Sequence, residues 1–460
     1  MPDARVCVLG GGPAGDVAAL RAAQLGAEVV LVERDLLGGT CVNRGCIPTK
    51  ALLAGSELVE RLSDAAAWGI AVGEVGVDWA VMRDRAMGIA ERMRAGVEGA
   101  CAKRGVEIVR GDGWLSGPGV VSVDTEDGEI EVHAPTVVIA TGSEPARLPL
   151  FDFDHPAVLT STSALRMERL PASMVIVGGG IIGCEFASML APLGCSVTLV
   201  EALPRLLATE EDRAGRTMAR AFRDLDVEVL TGTQVDEVVE YRDDGLTLRL
   251  SDGSQRSAET VLVAVGRTAN TVDIGLAELG IQTERGQILV DDRLRTGVEG
   301  VYAVGDAIPT EQLAHLGQAE GAWAVEDALE GPHVFDRDLV PACIYTHPEI
   351  ARVGLTEESA REAGWDAAVG VGRLGANGKA LALGETLGFA RIVADRSTDR
   401  VLGATIMGPH ATDLIHELGL ALAHGISVAD VGRMIHAHPT VAESVMDAAH
   451  DLHGTELYAG

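Results

Sequence analysis

In the segment LGGTCVNRGCIPTK, residues 37–50, Cys41 and Cys46 stand with four residues between them, among three glycines and ahead of Pro48 and Lys50. This pattern admits three chemistries: half of a metal site, a structural crosslink, or a dithiol that opens and closes during a reaction. Zinc would need two more ligands, and no second Cys or His pair lies nearby at ligand spacing. In a regular helix, residues five apart have Cα atoms roughly 8–9 Å apart, beyond the ~7 Å that a disulfide bridges. A bond between Cys41 and Cys46 therefore needs a distorted turn, which Gly45 and Pro48 make accessible, and such a bond should be reducible. A helix N-terminus would also lower a thiol pKa and favour the thiolate.

The elements that must position this pair come from a repeat. VCVLGGGPAGDVAALRAAQLGAEVVLVE near the start and MVIVGGGIIGCEFASMLAPLGCSVTLVE in the middle share one plan of strand, glycine turn, helix, strand and acid. Gly10, Gly12, Gly15 and Glu33 recur as Gly178, Gly180, Gly183 and Glu201, each displaced by 168 positions. In each copy the first glycine permits a tight turn, the second admits a pyrophosphate to the backbone, and the third lets helix and strand pack closely. The helix N-terminus attracts the phosphate and the acid binds a ribose hydroxyl. Two dinucleotide sites are implied.

Glu201 also favours NAD over NADP, because a carboxylate repels a 2′-phosphate; Arg205 is the one nearby cation. Cys41 follows Glu33 by eight residues, so the dithiol lies at the end of the first dinucleotide unit. NAD takes a hydride whereas a dithiol reacts through thiolate attack. Flavin exchanges electrons with both, which makes FAD the natural occupant of the first site.

Composition bounds the rest. A chain of 460 residues is too long for one ordinary core. Its formal charge of −31 argues against nucleic acid or anionic membranes as partners. Apolar runs break well short of ~20 residues, so no transmembrane helix is expected. The opening MPDARVCVLG enters a strand at once, leaving no room for a signal peptide, and seven scattered cysteines are not a secreted disulfide framework. A cytoplasmic protein is expected.

GGTCVNRGCIPTK resembles the redox signature of the pyridine nucleotide-disulphide oxidoreductases, and within them the branch that oxidises dihydrolipoyl groups. ATGSEP (140–145), AVGRTAN (264–270), GVYAVGDA (300–307), YTHPEIARVGLTE (345–357) and HAHPTVAES (436–444) extend the resemblance along the chain. It implies an α/β fold like that of glutathione reductase: two Rossmann-like dinucleotide-binding domains and a C-terminal α/β dimerisation domain. The expected bounds are 1–145 for FAD, 146–270 for NAD, 271–335 for a segment completing the FAD domain, and 336–460 for the interface domain. The runs GFARIVAD and VLGATIMG read as strands of that last domain and ATDLIHELGLALAHG as a helix.

Roles follow from the same resemblance. Cys41 would meet the dithiol substrate and Cys46 would pass electrons to FAD. Lys50 would pair with Glu185 beside the flavin and nicotinamide. Asp306 would bind the ribityl chain, with Gly39, Thr40, Thr141, Gly142 and His315 also toward FAD and Gly266 toward NAD. His438, oriented by Glu443, would be the base and would reach the disulfide of the other subunit, so a homodimer is expected; His436 would be structural. The lipoyl group would arrive on another chain, a lipoylated acyltransferase or an H-protein of a multienzyme complex.

The chain departs from the pattern at Asp16, where an uncharged residue is usual, and at Ala269 and Leu316, where proline and lysine are common. Asp16 would bring a charge near the FAD pyrophosphate unless it points to solvent. Cys7, Cys101, Cys184, Cys195 and Cys343 are expected to be inert. Glutathione reductase would be expected to carry arginines after the second acid, and mercuric reductase to end in a cysteine pair; this chain shows neither feature. A quinone-reducing or transhydrogenase relative would typically lack one or both redox cysteines, and a purely organising flavoprotein would not need Cys41, Cys46, His438 and Glu443 together.

Overall fold

The computed structural model describes residues 5–332 and 339–455. The apolar run Arg5–Leu9 (β1) is central in a five-stranded sheet, where parallel strands buried on both faces can be apolar at almost every position. Glycines at the turn lead into the Pro13–Gln24 helix (α1), and Glu28–Glu33 (β2) returns parallel to β1. Thr136–Ile139 and Val301–Ala303 complete the far side of that sheet. The later strand thus pairs into the first sheet, and Val301, Tyr302 and Ala303 share its apolar core.

The second copy builds the same unit. Ser173–Val177 and Ser196–Glu201 pair in parallel, joined by the Ile181–Leu190 helix. The C-terminal part is an antiparallel five-stranded sheet in which Phe389–Asp395 and Val401–Met407 pair centrally, followed by the Ala411–Ala423 helix. Those runs occupy the element types read from the sequence. The boundary expected at 335/336 lies outside the described residues.

Between β2 and the rest of the first unit lie three helices: Gly39–Arg44 (α2), Cys46–Ser63 (α3) and Trp79–Lys103 (α4). Leu52 and Leu53 of α3 share one core with Ile176 and Phe186 of the second unit and with Ile344 and Phe389 of the C-terminal sheet. Ser56 Oγ donates to the Met189 carbonyl at 2.7 Å, fixing α3 against the Ile181–Leu190 helix. No helix among the described residues is long and apolar enough to cross a membrane.

Candidate active site

The distorted turn expected between the cysteines is a break between two helices. Cys41 lies in α2 and Cys46 is the first residue of α3; Gly45 between them sits at φ −146°, ψ −111°, outside helical geometry. A Cβ there would come within 3.0 Å of the Thr40 carbonyl oxygen. Pro48 falls in the first turn of α3, where its missing N–H costs nothing. Both cysteines are free thiols, hydrogen-bonded side chain to side chain. The hydrogen bond from Cys41 pulls Cys46 down to about 7 against the opposing effect of burial, with help from Lys50. Cys41, the donor, is pushed up by the same bond and by burial. The negative charge of a reduced pair therefore resides on Cys46, where the N-terminus of α3 also stabilises it.

Lys50 follows Cys46 by one helical turn and so faces the same way. Its Nζ donates to both carboxylate oxygens of Glu185, at 2.8 and 2.9 Å. Glu185 is buried and also accepts from the Tyr345 backbone N–H at 3.0 Å. The ring of Tyr345 lies 4.6 Å from Lys50 Nζ, close enough for a cation–π contact.

One cleft of ≈ 2750 Å³ holds both fingerprints and the dithiol: Gly10, Gly12, Glu33, Cys41, Cys46, Lys50, Gly178, Gly180, Glu185 and Glu201 all line it. Its backbone fits two dinucleotides. A Cβ on Gly10 would stand 2.4 Å from the Ala140 carbonyl oxygen, and one on Gly178 the same distance from that of Ala264. At Gly15 and Gly183 the added carbon would reach 1.8 and 1.9 Å from the carbonyl oxygens of Gly10 and Gly178. Beside Gly180 there is nothing within 4 Å, the open space a pyrophosphate would need against the helix N-terminus.

The two acids repeat each other bond for bond. Glu33 accepts from the N–H groups of Gly11 (2.6 Å) and Asp35 (2.7 Å); Glu201 accepts from those of Gly179 (2.6 Å) and Leu203 (2.7 Å). Each carboxylate is thereby oriented and keeps lone pairs for a ribose. Arg205, the one cation near Glu201 in sequence, is committed elsewhere: its guanidinium donates to the Ala208 and Glu210 carbonyls, both at 2.8 Å. The second site is suited to NAD.

Toward the flavin side, Thr40, Gly39, Thr141, Gly142, Asp306 and His315 line the cleft, as does Gly266 toward the second site. Gly39 must be glycine, because a Cβ there would lie 2.7 Å from Gly12 Cα. Thr141 Oγ1 is buried and has no hydrogen-bond partner among the described residues, as a group reserved for a ligand would be. Asp306 is held through one carboxylate oxygen by Ser143 Oγ and by Arg267 Nε at 3.6 Å, and its other oxygen is free of both. His315 hydrogen-bonds the Pro341 carbonyl at 2.7 Å.

His438 Nδ1 meets Glu443 at 2.9 Å, and the other oxygen of Glu443 accepts from the Thr440 N–H at 2.9 Å. Burial would raise the Glu443 carboxyl, but the Thr440 N–H and His438 together hold it below its ordinary value. The His438 side chain is 79% exposed and does not line the cleft. One chain therefore does not bring this pair to its own dithiol. The His436 side chain is 2% exposed and tied to Glu417 at 3.1 Å.

Comparison with known proteins settles the family. Residues 4–321 match the model of the pyridine nucleotide-disulphide oxidoreductases and residues 340–449 that of their dimerisation domain.

The chain belongs to the pyridine nucleotide-disulphide oxidoreductases.

It is 41% identical to a dihydrolipoyl dehydrogenase of Bacillus subtilis (strain 168), covering 98% of each chain. It is 39% identical to one of Chlorobaculum tepidum, over 97% of this chain and 96% of that protein. Among solved structures, LpdA of Mycobacterium tuberculosis superposes with a TM-score of 0.91 at 28% identity, over 97% of this chain and 99% of that one. The HOCl-induced flavoprotein disulfide reductase RclA of Escherichia coli gives 0.88 at 28% identity, over 98% and 99%. Pyridine nucleotide-disulphide oxidoreductases of this kind use FAD and NAD, the two cofactors the fingerprints imply.

Reading the sequence alone left several residues of this pyridine nucleotide-disulphide oxidoreductase without roles. Tyr345, Ser143, Arg267 and Asn270, which donates to the Thr141 carbonyl at 3.0 Å, all lie in motifs that carried the resemblance. Asp16 does not point to solvent: it is buried on α1 and lies outside the cleft lining. Ala269 and Leu316 are likewise buried. Of the cysteines expected to be inert, Cys343 does line the cleft, and burial pushes its thiol up to about 11.

Proposed function

We propose that this chain oxidises protein-bound dihydrolipoyl groups and reduces NAD, the reaction of the dihydrolipoyl dehydrogenases it resembles. The observation that carries this reading is the Cys41–Cys46 pair at the N-terminus of α3, in one cleft with both dinucleotide fingerprints.

A substrate thiolate attacks Cys41 Sγ of the oxidised pair; the Cys41–Cys46 bond breaks and its electron pair stays on Cys46. The second substrate sulfur then attacks the first, closing the lipoyl ring and releasing Cys41. The lowered thiol of Cys46 and the raised thiol of Cys41 suit that division of labour. Bound FAD would supply the two-electron chemistry that links the dithiol to NAD. Gly10, Gly12, Gly15, Glu33, Gly39, Thr40, Thr141, Gly142, Lys50, Asp306 and His315 would hold FAD, and Gly178, Gly180, Gly183, Glu201 and Gly266 NAD. Lys50, fixed by Glu185, keeps a positive charge beside Cys46. We assign removal of the substrate thiol protons to His438 of the partner subunit, because this side chain is exposed and stands off its own cleft.

The domain bounds proposed are 1–145, 146–270, 271–335 and 336–460; the three five-stranded sheets support them, while Ser143–Pro145 pairs with Arg267–Ala269 across the first bound. The partner would be a lipoylated acyltransferase or H-protein of a multienzyme complex. We place the enzyme in the cytoplasm, a reducing compartment suited to an odd number of cysteines scattered along the chain.

The test is steady-state oxidation of dihydrolipoamide by the FAD-replete protein, with NAD and NADP compared. NAD-dependent turnover that Cys46→Ser abolishes supports the reading. Quinone reduction by NADH without any dithiol turnover would overturn it.

A further inference from the structure

A second cavity, of ≈ 340 Å³, shares no lining residue with the nucleotide cleft. Arg83, Met87 and Arg94 reach it from one face of α4, where their spacing aligns them, with Glu91 beside that row. Leu36, Asn43 of α2 and Arg166, just past the Ser161–Ala164 helix, also line it. Three guanidinium groups thus meet in a chain whose 68 acidic residues outnumber its 37 lysines and arginines. One of the three is neutralised: Arg83 donates to Asp84 at 2.8 and 2.9 Å. Arg94 and Arg166 form no ion pair among the described residues, although Glu91 lines the same cavity.

Arg94 is held in place by an amide. Its Nη1 donates to Asn43 Oδ1 at 3.1 Å. Asn43 is 3% exposed, and its Nδ2 donates to the Leu37 and Gly39 carbonyls, both at 2.9 Å. The amide is therefore fixed by the turn ahead of Cys41 and presents its oxygen to the arginine. The remaining N–H groups of Arg94 stay available to an occupant of the cavity.

We propose that this cavity binds a small organic phosphate, with the phosphate between Arg94 and Arg166 and an apolar body against Leu36 and Met87. Two guanidinium groups without acids match the charge of about −1.5 to −2 that a phosphate monoester carries at neutral pH; a monocarboxylate would balance one of them. The planar forks of arginine suit phosphate oxygens. The volume falls at the small end of the roughly 300–1,000 Å³ typical of small-molecule sites. Because Asn43 already fixes Arg94, that side chain loses little freedom on binding.

The experiment is calorimetric titration with phenyl phosphate, at constant ionic strength, of the FAD-replete enzyme saturated with NAD, so that neither nucleotide site competes for the probe. Saturable binding is expected, and inorganic phosphate, which lacks the apolar body, should bind more weakly. Arg94→Met and Arg166→Met should each weaken phenyl phosphate roughly tenfold or more, and Glu91→Gln should strengthen it. Arg166 is exposed, so its replacement tests the site even where Arg94→Met does not fold. Absence of saturable binding to the parent would overturn the proposal, as would parent affinity in Arg166→Met. The cavity uses none of the residues assigned to the reaction, so a failure to oxidise dihydrolipoamide would count against the proposed function alone.

Discussion

Lys50 and Glu185 join the helix that carries the thiols to the helix of the second fingerprint, with Lys50 Nζ 2.8 and 2.9 Å from the two oxygens of Glu185. Glu185 is buried and the Lys50 side chain is 30% exposed, so the pair is shielded on one side only. Lys50→Met would strand a buried carboxylate with the Tyr345 N–H as its remaining donor. The expected cost is about 3 kcal/mol of stability, read by guanidinium unfolding of the holoenzyme near neutral pH. Glu185→Gln should cost less, since it leaves the more exposed partner unpaired.

Glu443 orients His438 and is itself fixed by the Thr440 N–H. Glu443→Gln should keep the fold and lower dithiol turnover roughly 10²-fold, and His438→Gln should lower it at least as far. Reduction of an artificial acceptor by NADH bypasses the thiol protons and should stay near the parent rate in both. Comparable losses in the two assays would contradict the assignment.

On the function proposed, Glu201 would select NAD, since Arg205 is occupied by two carbonyls. Glu201→Arg should lower kcat/KM for NAD by roughly tenfold or more and raise that for NADP, a discrimination of about 1–3 kcal/mol for one misplaced polar contact. Arg205→Ala should leave the NAD/NADP ratio unchanged. A collapse of the ratio in Arg205→Ala would mean that the arginine, and not the acid, reads the ribose.

His347 ties the C-terminal domain to α3, lying 2.9 Å from Glu60 and 3.5 Å from Glu385, while Arg61 reaches Glu385 at 3.0 Å. Hydrogen bonds that the ring donates to the Glu385 and Glu60 carboxylates push this imidazole up to about 10, from an ordinary value of 6.5. A histidine raised on folding contributes its full stabilisation below the lower value and loses it as pH climbs through the upper one. The stability gap between the parent and His347→Gln should therefore be about 2 kcal/mol near pH 6, allowing for the partial exposure of the ring. It should close by about pH 10. A gap independent of pH, in urea unfolding across that window, would show that packing and not charge holds the contact.

What could be read from the chain before folding was whatever is local. The fingerprints are local because turn, helix start and closing acid fall within about 25 residues of one another, so glycine spacing alone exposes them. The dithiol is local too, and the break at Gly45 follows from the impossibility of bridging one regular helix. Tyr345 was not legible in this way: it meets Glu185 across 160 residues, and nothing in its neighbourhood announces an aromatic face under a lysine. The His347 clamp spans 287 residues to Glu60 and was hidden for the same reason. Asp16 misled in a different manner, because sequence gives its type and helical position but not the burial that changes its chemistry.

The helix bearing the thiols owes its apolar contacts to three parts of the chain at once, with Leu52 and Leu53 in a single core with Ile176, Phe186, Ile344 and Phe389. The two nucleotide units are therefore not interchangeable cassettes. An excised second unit would expose the seat of α3, and a graft from a relative would have to bring matching residues on three surfaces. Redesign of cofactor preference in this protein is confined to the rim of the cleft, where side chains such as Glu201 can change without disturbing what the units hold in common.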